Sequence, residues 1–336
     1  MSYEKLSAVE ILAIKNPYDL FKNDNADSWK TIIRIFQAKW HPDRNSDPLS
    51  TQVMAHINLL YQRIQSGDYG NVLMFTSDEL NKRKFFFKYK KEVEVDIGKM
   101  YIGRKMVLFC ITPDNSDLYD KAIENILSIH FPTKMMEAGF TRMVPKELKK
   151  YGKTDKGYIF TIYKGENQVR LADIISKIDP THLPWILDGV YSFALLMNQA
   201  QSKVFGDISI ESIFINPTFR TVHVLSGWWF STQIGKPLSA FPNWIVPILP
   251  KSIVDKGVSD TRIDQYAVKA LGIRLLGDET LIGSKLLTMD AKWRPLVGFL
   301  RSSPLASTLK DYSEWNKIKK DLSSTELKVS FDEVYQ

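Results

Sequence analysis

The chain has 336 residues, of which 44% are hydrophobic and 25% charged, which is ordinary composition for a globular protein with more than one domain. No stretch approaches the roughly 20 apolar residues of a membrane helix, and the single cysteine, Cys110, excludes an internal disulfide. The net charge is +7, and the basic excess lies beyond residue 70. The first residues lack a signal-peptide pattern, so we expect a cytoplasmic location, which for a phage-encoded protein is the cytoplasm of its bacterial host.

Two amphipathic helices are predicted within residues 1–70. The first is indicated by apolar residues that recur on one helix face, namely Trp29, Ile32, Ile33, Phe36 and Trp40. A second stripe has the same period and consists of Val53, Met54, Ile57, Leu60, Tyr61 and Ile64. The polar segment between them contains prolines, so the sequence predicts a helical hairpin with a polar loop.

That loop begins with the tripeptide His41-Pro42-Asp43, which we call the His-Pro-Asp turn. Pro42 has no N–H group and disfavours helical geometry at the residue before it. The chain therefore leaves the helix near His41 and presents both His41 and Asp43 at a turn. Basic residues of the preceding helix and the loop flank it, which indicates a surface built for contact with a partner.

Residues 16–66, which begin Asn-Pro-Tyr-Asp-Leu-Phe, resemble the J-domain of DnaJ-type co-chaperones. The resemblance implies that the His-Pro-Asp turn docks on a DnaK-type chaperone and triggers its ATP hydrolysis. It further implies that Arg34, Lys39 and Arg44 steer this partner electrostatically. Residues 1–70 are accordingly predicted to be a J-domain-like helical module.

Two positions depart from that family, because Ile35 stands where a second basic residue is usual and Leu60 where a small Ala usually packs. If the module docks on a chaperone as that family does, we expect its binding to be weaker than is usual for the family, or specific to one chaperone. The alternative is a chance tripeptide in a hairpin that packs on the rest of the protein. A metal site at His41 is not favoured, since the five histidines are scattered and none pairs with Cys110 at ligand spacing.

Residues 82–91 mix basic and aromatic side chains, a composition that suits single-stranded nucleic acid or an acidic partner. From Phe85 to Ile97, however, odd positions are mostly apolar and even positions mostly charged. This alternation is typical of a half-buried strand, so we favour a strand over nucleic-acid binding.

The remainder of the chain is predicted to be a mixed domain preceded by a linker, residues 71–84, with a short helical piece. Its predicted strands are 85–97, 99–112, one near 139–144 and 157–164. Its predicted helices are 116–129, 182–202 and 262–276.

After the predicted helix 182–202 come a loop with Asp207, a short strand, a turn, a second short strand and a loop of small residues. This order resembles the catalytic and metal-binding loops of protein kinases, and Asp264 begins a helix as a buried aspartate does in that family, where it supports the catalytic loop. Residues 85–336 thus resemble the protein-kinase-like fold, with an N-lobe at 85–164 and a C-lobe at 165–336. The predicted fold class is α+β: an all-α J-domain hairpin followed by a bilobal kinase-like fold.

The groups that phosphoryl transfer requires are mostly replaced. On the resemblance, Ser212 occupies the position of the magnesium-binding Asn, Ser226 that of the metal-binding Asp, and Cys110 that of the phosphate-pairing Lys, with Lys105 as the nearest alternative. A hydroxyl is a poor ligand for Mg²⁺, which prefers charged oxygen donors. We therefore expect no catalytic activity, no bound cofactor or metal and no ATP binding. Asp207 is either a residual base or a structural group, and Cys110 a buried apolar residue rather than a reactive thiol.

The leading hypothesis is an adaptor that recruits and stimulates a DnaK-type chaperone, with a catalytically inactive kinase-like domain, residues 85–336, that binds an unknown client. One alternative is a divergent kinase-like enzyme that uses Asp207. Another is a structural or nucleic-acid-associated protein with a degenerate J-domain. The aromatic cluster 228–230 is predicted to pack in the core rather than to anchor a partner.

Overall fold

The computed structural model describes residues 6–21, 26–65 and 71–335, apart from the side chains of residues 26 and 27. Its internal contacts divide the chain into two compact units. The first comprises residues 1–75 with 84–89, and the second comprises residues 76–83 with 90–336. The fold is mixed helix and sheet. None of the helices in the described ranges has the length and apolarity needed to span a membrane.

The first unit contains α1 (Ala8–Leu12), α2 (Pro17–Leu20), α3 (Ala26–Trp40) and α4 (Ser50–Gln65). Ser7 caps α1 in a reciprocal pair of hydrogen bonds with Glu10, and Asn16 caps α2 by accepting the Tyr18 N–H. The two predicted apolar stripes are confirmed, since every member is buried in one cluster except Tyr61, which is half-buried. Helices α3 and α4 therefore pack through the faces that their periodicity predicts.

Residues 71–84, predicted as a linker with a helical piece, instead contain β1 (Val72–Ser77) and the start of β2 (Arg83–Lys88). The turn between these strands has a left-handed backbone at Asn81 and Lys82, each with φ of 54°. The prediction overlooked the apolar run that begins at Val72, whose side chains are buried or half-buried. This run is short enough to be a strand and too short for a stable helix.

The aromatic residues of β2 pack within the first unit. Phe86 stacks on Tyr18 with ring centroids 5.5 Å apart, and Phe85 stacks on Phe75 at 5.6 Å. The ammonium group of Lys88 forms an ion pair with Asp19. The predicted single strand 85–97 is thus two strands, because the chain turns after β2 and resumes as β3 (Lys91–Val95).

Within the second unit, strands β4 (Gly98–Ile102), β5 (Met106–Ile111), β6 (Lys146–Thr154) and β7 (Gly157–Tyr163) form a sheet with β3 in the order β6-β7-β5-β4-β3. The predicted strand 99–112 is divided by a turn into β4 and β5. Each neighbouring pair from β6 to β3 is antiparallel, and β7 lies between β5 and β6. The prediction of a strand at 157–164 is confirmed by β7.

Two helices lie between β5 and β6 in the chain, α5 (Ser116–Leu127) and α6 (Lys134–Phe140). Helix α5 confirms the prediction for 116–129. The predicted strand near 139–144 is wrong, because α6 ends at Phe140 and a turn follows. Thr133 starts this helix by accepting the Met136 N–H at 3.2 Å, a side-chain cap that competes with extended structure.

The rest of the second unit is mainly helical. Its elements are β8 (Val169–Arg170), α7 (Leu183–Leu195), β9 (Lys203–Val204), β10 (Ile213–Asn216), β11 (Thr221–Val224), β12 (Thr232–Gln233), α8 (Lys251–Val254), α9 (Arg262–Leu275), α10 (Arg294–Arg301), α11 (Thr308–Ile318) and α12 (Phe331–Val334). Helix α7 continues into a π turn at 196–200, and together with α9 it confirms the predictions for 182–202 and 262–276. Strands β8, β10 and β11 form a small sheet, while β9 pairs with β12.

The last described residues are part of the second unit's fold. The hydroxyl of Tyr335 accepts the Arg170 N–H at 3.0 Å and donates to Asp173 at 2.7 Å. The ammonium group of the buried Lys164 lies over the Phe331 ring, 4.0 Å from the ring centroid. These contacts hold α12 against the segment that follows β7.

Candidate functional site

The His-Pro-Asp turn directly follows the last residue of α3, and all three of its residues are exposed. The Asp43 N–H donates to Nδ1 of His41 at 3.2 Å. Nδ1 serves as the acceptor of this hydrogen bond, which leaves Nε2 as the ring nitrogen available to another group. The carboxylate of Asp43 is 85% exposed and lies 3.7 Å from Nδ1. The imidazole of His41 and the carboxylate of Asp43 therefore lie side by side at the exposed turn.

The loop after the turn is shaped by its own hydrogen bonds. The side-chain amide of Asn45 donates to the Lys39 carbonyl at 2.8 Å, which satisfies one of the free carbonyls at the end of α3. Asn45 in turn accepts the Asp47 N–H, and Asp47 accepts the Leu49 N–H, both at 2.8 Å. Such side-chain turns fix the backbone locally, so the His-Pro-Asp turn is held in place before any partner binds.

An open groove of about 540 Å³ adjoins the turn, and we call it the basic groove. It is lined by residues of α3 and of the loop, namely Arg34, Gln37, Ala38, His41, Asp43 and Arg44. Of the three predicted steering residues, two lie here. The third, Lys39, donates to the Leu6 carbonyl at 2.8 Å and does not line the groove.

In the second unit, Asp207 lies in the loop between β9 and β10 and is only 5% exposed. Its Oδ1 accepts the indole N–H of Trp244 at 2.9 Å. Gly227 packs so closely that a Cβ atom there would lie 2.5 Å from Oδ2, and its φ of 83° also suits glycine alone. No local sequence signal links Trp244 to Asp207, because they are separated by 37 residues.

Asp264, in the first turn of α9, is fully buried and holds the backbone that precedes Asp207. Its carboxylate accepts the Phe205 N–H at 3.0 Å, the Gly206 N–H at 2.9 Å and the Asn198 side-chain amide at 2.9 Å. Burial raises the pKa of Asp264 to about 6, and these hydrogen bonds oppose the rise. Asp264 is therefore the acceptor that orders this loop.

Ser212 and Ser226, which the sequence analysis compared with kinase metal ligands, form hydrogen bonds within the loops. The Ser212 hydroxyl donates to the Asp207 carbonyl at 2.5 Å and accepts the Ser209 N–H at 3.0 Å. The Ser226 N–H donates to the Ser212 carbonyl at 3.3 Å. Both serines are buried, so they connect the two loops that the sequence analysis compared with kinase loops.

Asp207 lines a cleft of about 300 Å³, which we call the acidic cleft. Its walls are Glu94, Val95, Asp96, Asp207, Ser209, Glu211, Ser226, Trp229, Asn243 and Trp244, a set with four carboxyl groups and no lysine or arginine. Burial raises the pKa of Asp207 to about 7, and the carboxylates of Asp96 and Glu211 add to the rise. A cleft of this charge repels anions such as nucleotide phosphates.

Cys110 and Lys105, the two candidates for the phosphate-pairing position, do not line the acidic cleft. Cys110 lies on β5, where its thiol contacts the Lys156 carbonyl at 3.3 Å and burial raises its pKa to about 11. A thiol of such high pKa is a poor nucleophile. Lys105 lies in the turn before β5 and forms an exposed ion pair with Glu166 at 2.6 Å.

The aromatic cluster 228–230 is buried, which confirms the prediction that it packs in the core. Trp228 makes edge-on contacts with Phe193 and Phe205, at centroid distances of 6.0 and 5.1 Å. Trp229 contacts Phe109 of β5 at 5.9 Å and also forms a wall of the acidic cleft.

Among the residues that the structure describes, no three His, Cys, Asp or Glu side chains are placed to hold a metal ion. A scan against protein-family models finds no match for this chain, and a search of curated proteins finds none either.

The buried carboxyl group of Asp207 makes a prediction about pH. Because its folded-state pKa of about 7 exceeds the ordinary 3.8, the stability that the protonated group contributes is complete below pH ~4 and is lost as pH rises through 7. Asp207→Asn keeps the shape without the charge, so the variant is expected to gain on the order of 2 kcal/mol over the wild type between pH 4 and 8. Urea unfolding at several pH values measures this difference. A difference that does not change with pH contradicts the assignment.

Proposed function

We propose that this protein is a J-domain-type co-chaperone and adaptor: the first unit recruits a DnaK-type chaperone and stimulates its ATPase, and a kinase-like platform binds a client without transferring phosphate. The observation that carries the proposal is the exposed His-Pro-Asp turn at the edge of the basic groove. It combines a fixed imidazole, a solvent-facing carboxylate and two arginines on one surface.

The position of the turn supports a docking role over a packing role. His41 and Asp43 are exposed and contribute nothing to the core of the first unit, which is built from the apolar faces of its helices. The hydrogen-bonded loop holds them in place, so binding loses little conformational entropy. Arg34 and Arg44 attract an acidic partner surface over several ångströms and speed its encounter.

The topology of the second unit supports the kinase-like part of the proposal. Strands β3, β4 and β5 form a meander, α5 follows, and β6 and β7 return with β7 paired to β5. This is the connectivity that a kinase-like N-lobe implies. The order of α7, the Asp207 loop, β10, β11 and the Ser226 loop agrees with the corresponding C-lobe, and Asp264 bonds to the Asp207 loop as a supporting aspartate would.

Three features favour a platform over an active enzyme. Ser212 supplies a hydroxyl that is already bonded within its own loop, and Ser226 supplies another where a carboxylate is needed. The acidic cleft has no cationic side chain among its walls. Cys110, at the position of the phosphate-pairing lysine, faces the Lys156 carbonyl instead.

Joining the two functions in one chain raises the local concentration of chaperone at the bound client. The test is a single-turnover ATPase assay on a bacterial DnaK-type chaperone with the full chain added at increasing concentration. We expect a saturable acceleration. No acceleration with any of several such chaperones would refute the proposal.

A second prediction concerns nucleotide. We expect no change in the melting temperature of the full chain with millimolar ATP and Mg²⁺ or Mn²⁺. The acidic cleft disfavours phosphate, and no three acidic side chains of the described residues are placed to hold a metal ion. Thermal-shift titration measures this directly. Stabilisation that depends on both nucleotide and metal, and that Asp207→Asn removes, would instead favour a divergent enzyme.

A further inference from the structure

A second polar pocket of the second unit lies beside α5, β9 and β12 and has a volume of about 480 Å³. Three lysines line it, Lys121 from α5, Lys203 from β9 and Lys236 from the segment after β12. Glu124 is the one carboxylate among its walls. We call it the lysine pocket. Its charge is opposite to that of the acidic cleft, and nothing in the proposed function uses it.

The two half-buried lysines of the pocket have neutral partners. The Lys121 ammonium donates to the hydroxyls of Thr232 at 3.0 Å and Ser239 at 2.7 Å. The Lys203 ammonium donates to the Asn125 side-chain oxygen at 2.9 Å and to the Ser128 hydroxyl at 2.8 Å. Neutral oxygens orient an ammonium group without neutralising it, and Glu124 is the one carboxylate of the pocket that acts on both lysines.

Burial lowers the pKa of both lysines, and the carboxylate of Glu124 opposes this in each case. The charge of Lys121 lowers the pKa of Lys203 as well. Two ammonium groups that repel each other in a partly buried site are stabilised by an anion between them. Neither forms an ion pair with a carboxylate within the described part of the chain. The arrangement therefore holds positive charge in readiness for a ligand.

A buried hydroxyl gives independent evidence for a ligand. Ser231, which lines the pocket, is 1% exposed, and its Oγ has no hydrogen-bond partner among the described residues. A buried polar atom without a partner is costly and is normally satisfied by water or a bound group. An acceptor oxygen in the pocket would satisfy it.

We propose that the lysine pocket binds the dianionic phosphoryl group of a free phosphate ion or of a phosphate ester. Three ammonium groups against one carboxylate leave an excess of positive charge that matches a dianion, and lysine binds phosphate as a point charge. The pocket volume lies within the range of sites that hold small organic ligands, so an ester also has room for its organic part. The ligand would connect α5 to the segment 231–236.

The test is titration calorimetry of the full chain with inorganic phosphate and with O-phospho-L-serine, and with L-serine as the comparison that lacks the phosphoryl group. We expect the two phosphates to bind and L-serine not to bind. Tighter binding of the ester than of phosphate identifies a phosphorylated ligand, and equal or weaker binding identifies the free ion. Absence of binding by both phosphates would overturn the proposal.

Matched variants keep the test specific. Lys121→Gln and Lys203→Gln retain a hydrogen-bond donor, and each is expected to weaken phosphate binding about 10-fold. Lys236→Gln changes an exposed side chain and so tests the site with little risk to folding. Lys251→Gln makes the same charge change at an exposed position of α8, outside the pocket, and is expected to leave affinity unchanged. If all four variants bind phosphate as tightly as the wild type does, the proposed site is wrong.

Discussion

His41→Gln and Asp43→Asn are each expected to abolish the stimulation of a DnaK-type ATPase by this protein, so that the rate returns to that of the chaperone alone. The reason is geometric. His41 accepts the Asp43 N–H through Nδ1, which leaves Nε2 for a partner, and Asp43 presents a carboxylate that is 85% exposed. Each substitution removes one of two adjacent polar contacts at the centre of the proposed interface. Single-turnover ATPase rates measure the loss.

The controls separate docking from folding. Both residues are exposed, so neither substitution is expected to change the melting temperature appreciably. Gln52→Ala alters an exposed side chain of α4 outside the basic groove and is expected to retain full stimulation. If all of these proteins stimulate equally, the His-Pro-Asp turn is not the docking element and the co-chaperone proposal is wrong.

Asp264→Ala is expected to destabilise the second unit by roughly 3–9 kcal/mol, since it removes the acceptor of three buried donors and each such group costs about 1–3 kcal/mol. Those donors are the N–H groups of Phe205 and Gly206 and the side-chain amide of Asn198. Asp264→Asn keeps one acceptor oxygen and is expected to lose less. Urea unfolding followed by tryptophan fluorescence measures the change in the free energy of unfolding.

Asp120→Ala is the matched control, because this carboxylate is exposed on α5. Its removal is expected to change the free energy of unfolding by no more than about 0.5 kcal/mol. Similar losses for Asp264→Ala and Asp120→Ala would show that the Asp207 loop does not depend on Asp264.

The helices were largely predictable, and the reason lies in local pattern. The apolar stripes of α3 and α4 lie on faces that periodicity alone identifies, and helices α5, α7 and α9 begin within one residue of their predicted starts. Elements that depend on caps or short runs were not predictable in this way. Thr133 caps a helix where a strand was expected, and the short apolar run at Val72 forms β1 where a linker was expected.

The candidate sites likewise contain features that neighbouring residues predict and features that only the tertiary fold produces. Pro42 ends α3 and exposes the turn whatever the rest of the chain does, so the His-Pro-Asp turn was evident from neighbouring residues. The partner of Asp207 was not, because Trp244 reaches it only through the fold of the second unit. Lys39 shows the same limit, since its helix position suggested a role in steering a partner, whereas its ammonium group donates to the distant carbonyl of Leu6.

The sequence by itself determined the proline-bounded turn and the amphipathic helices. These properties belong to single residues or to residues a few positions apart, and chain geometry over that span leaves little choice. The tertiary structure alone decided which carboxylates meet in the acidic cleft and that lysines from three separate segments surround one pocket. Such groupings join residues far apart in the chain, and only the packing of the whole core specifies their distances.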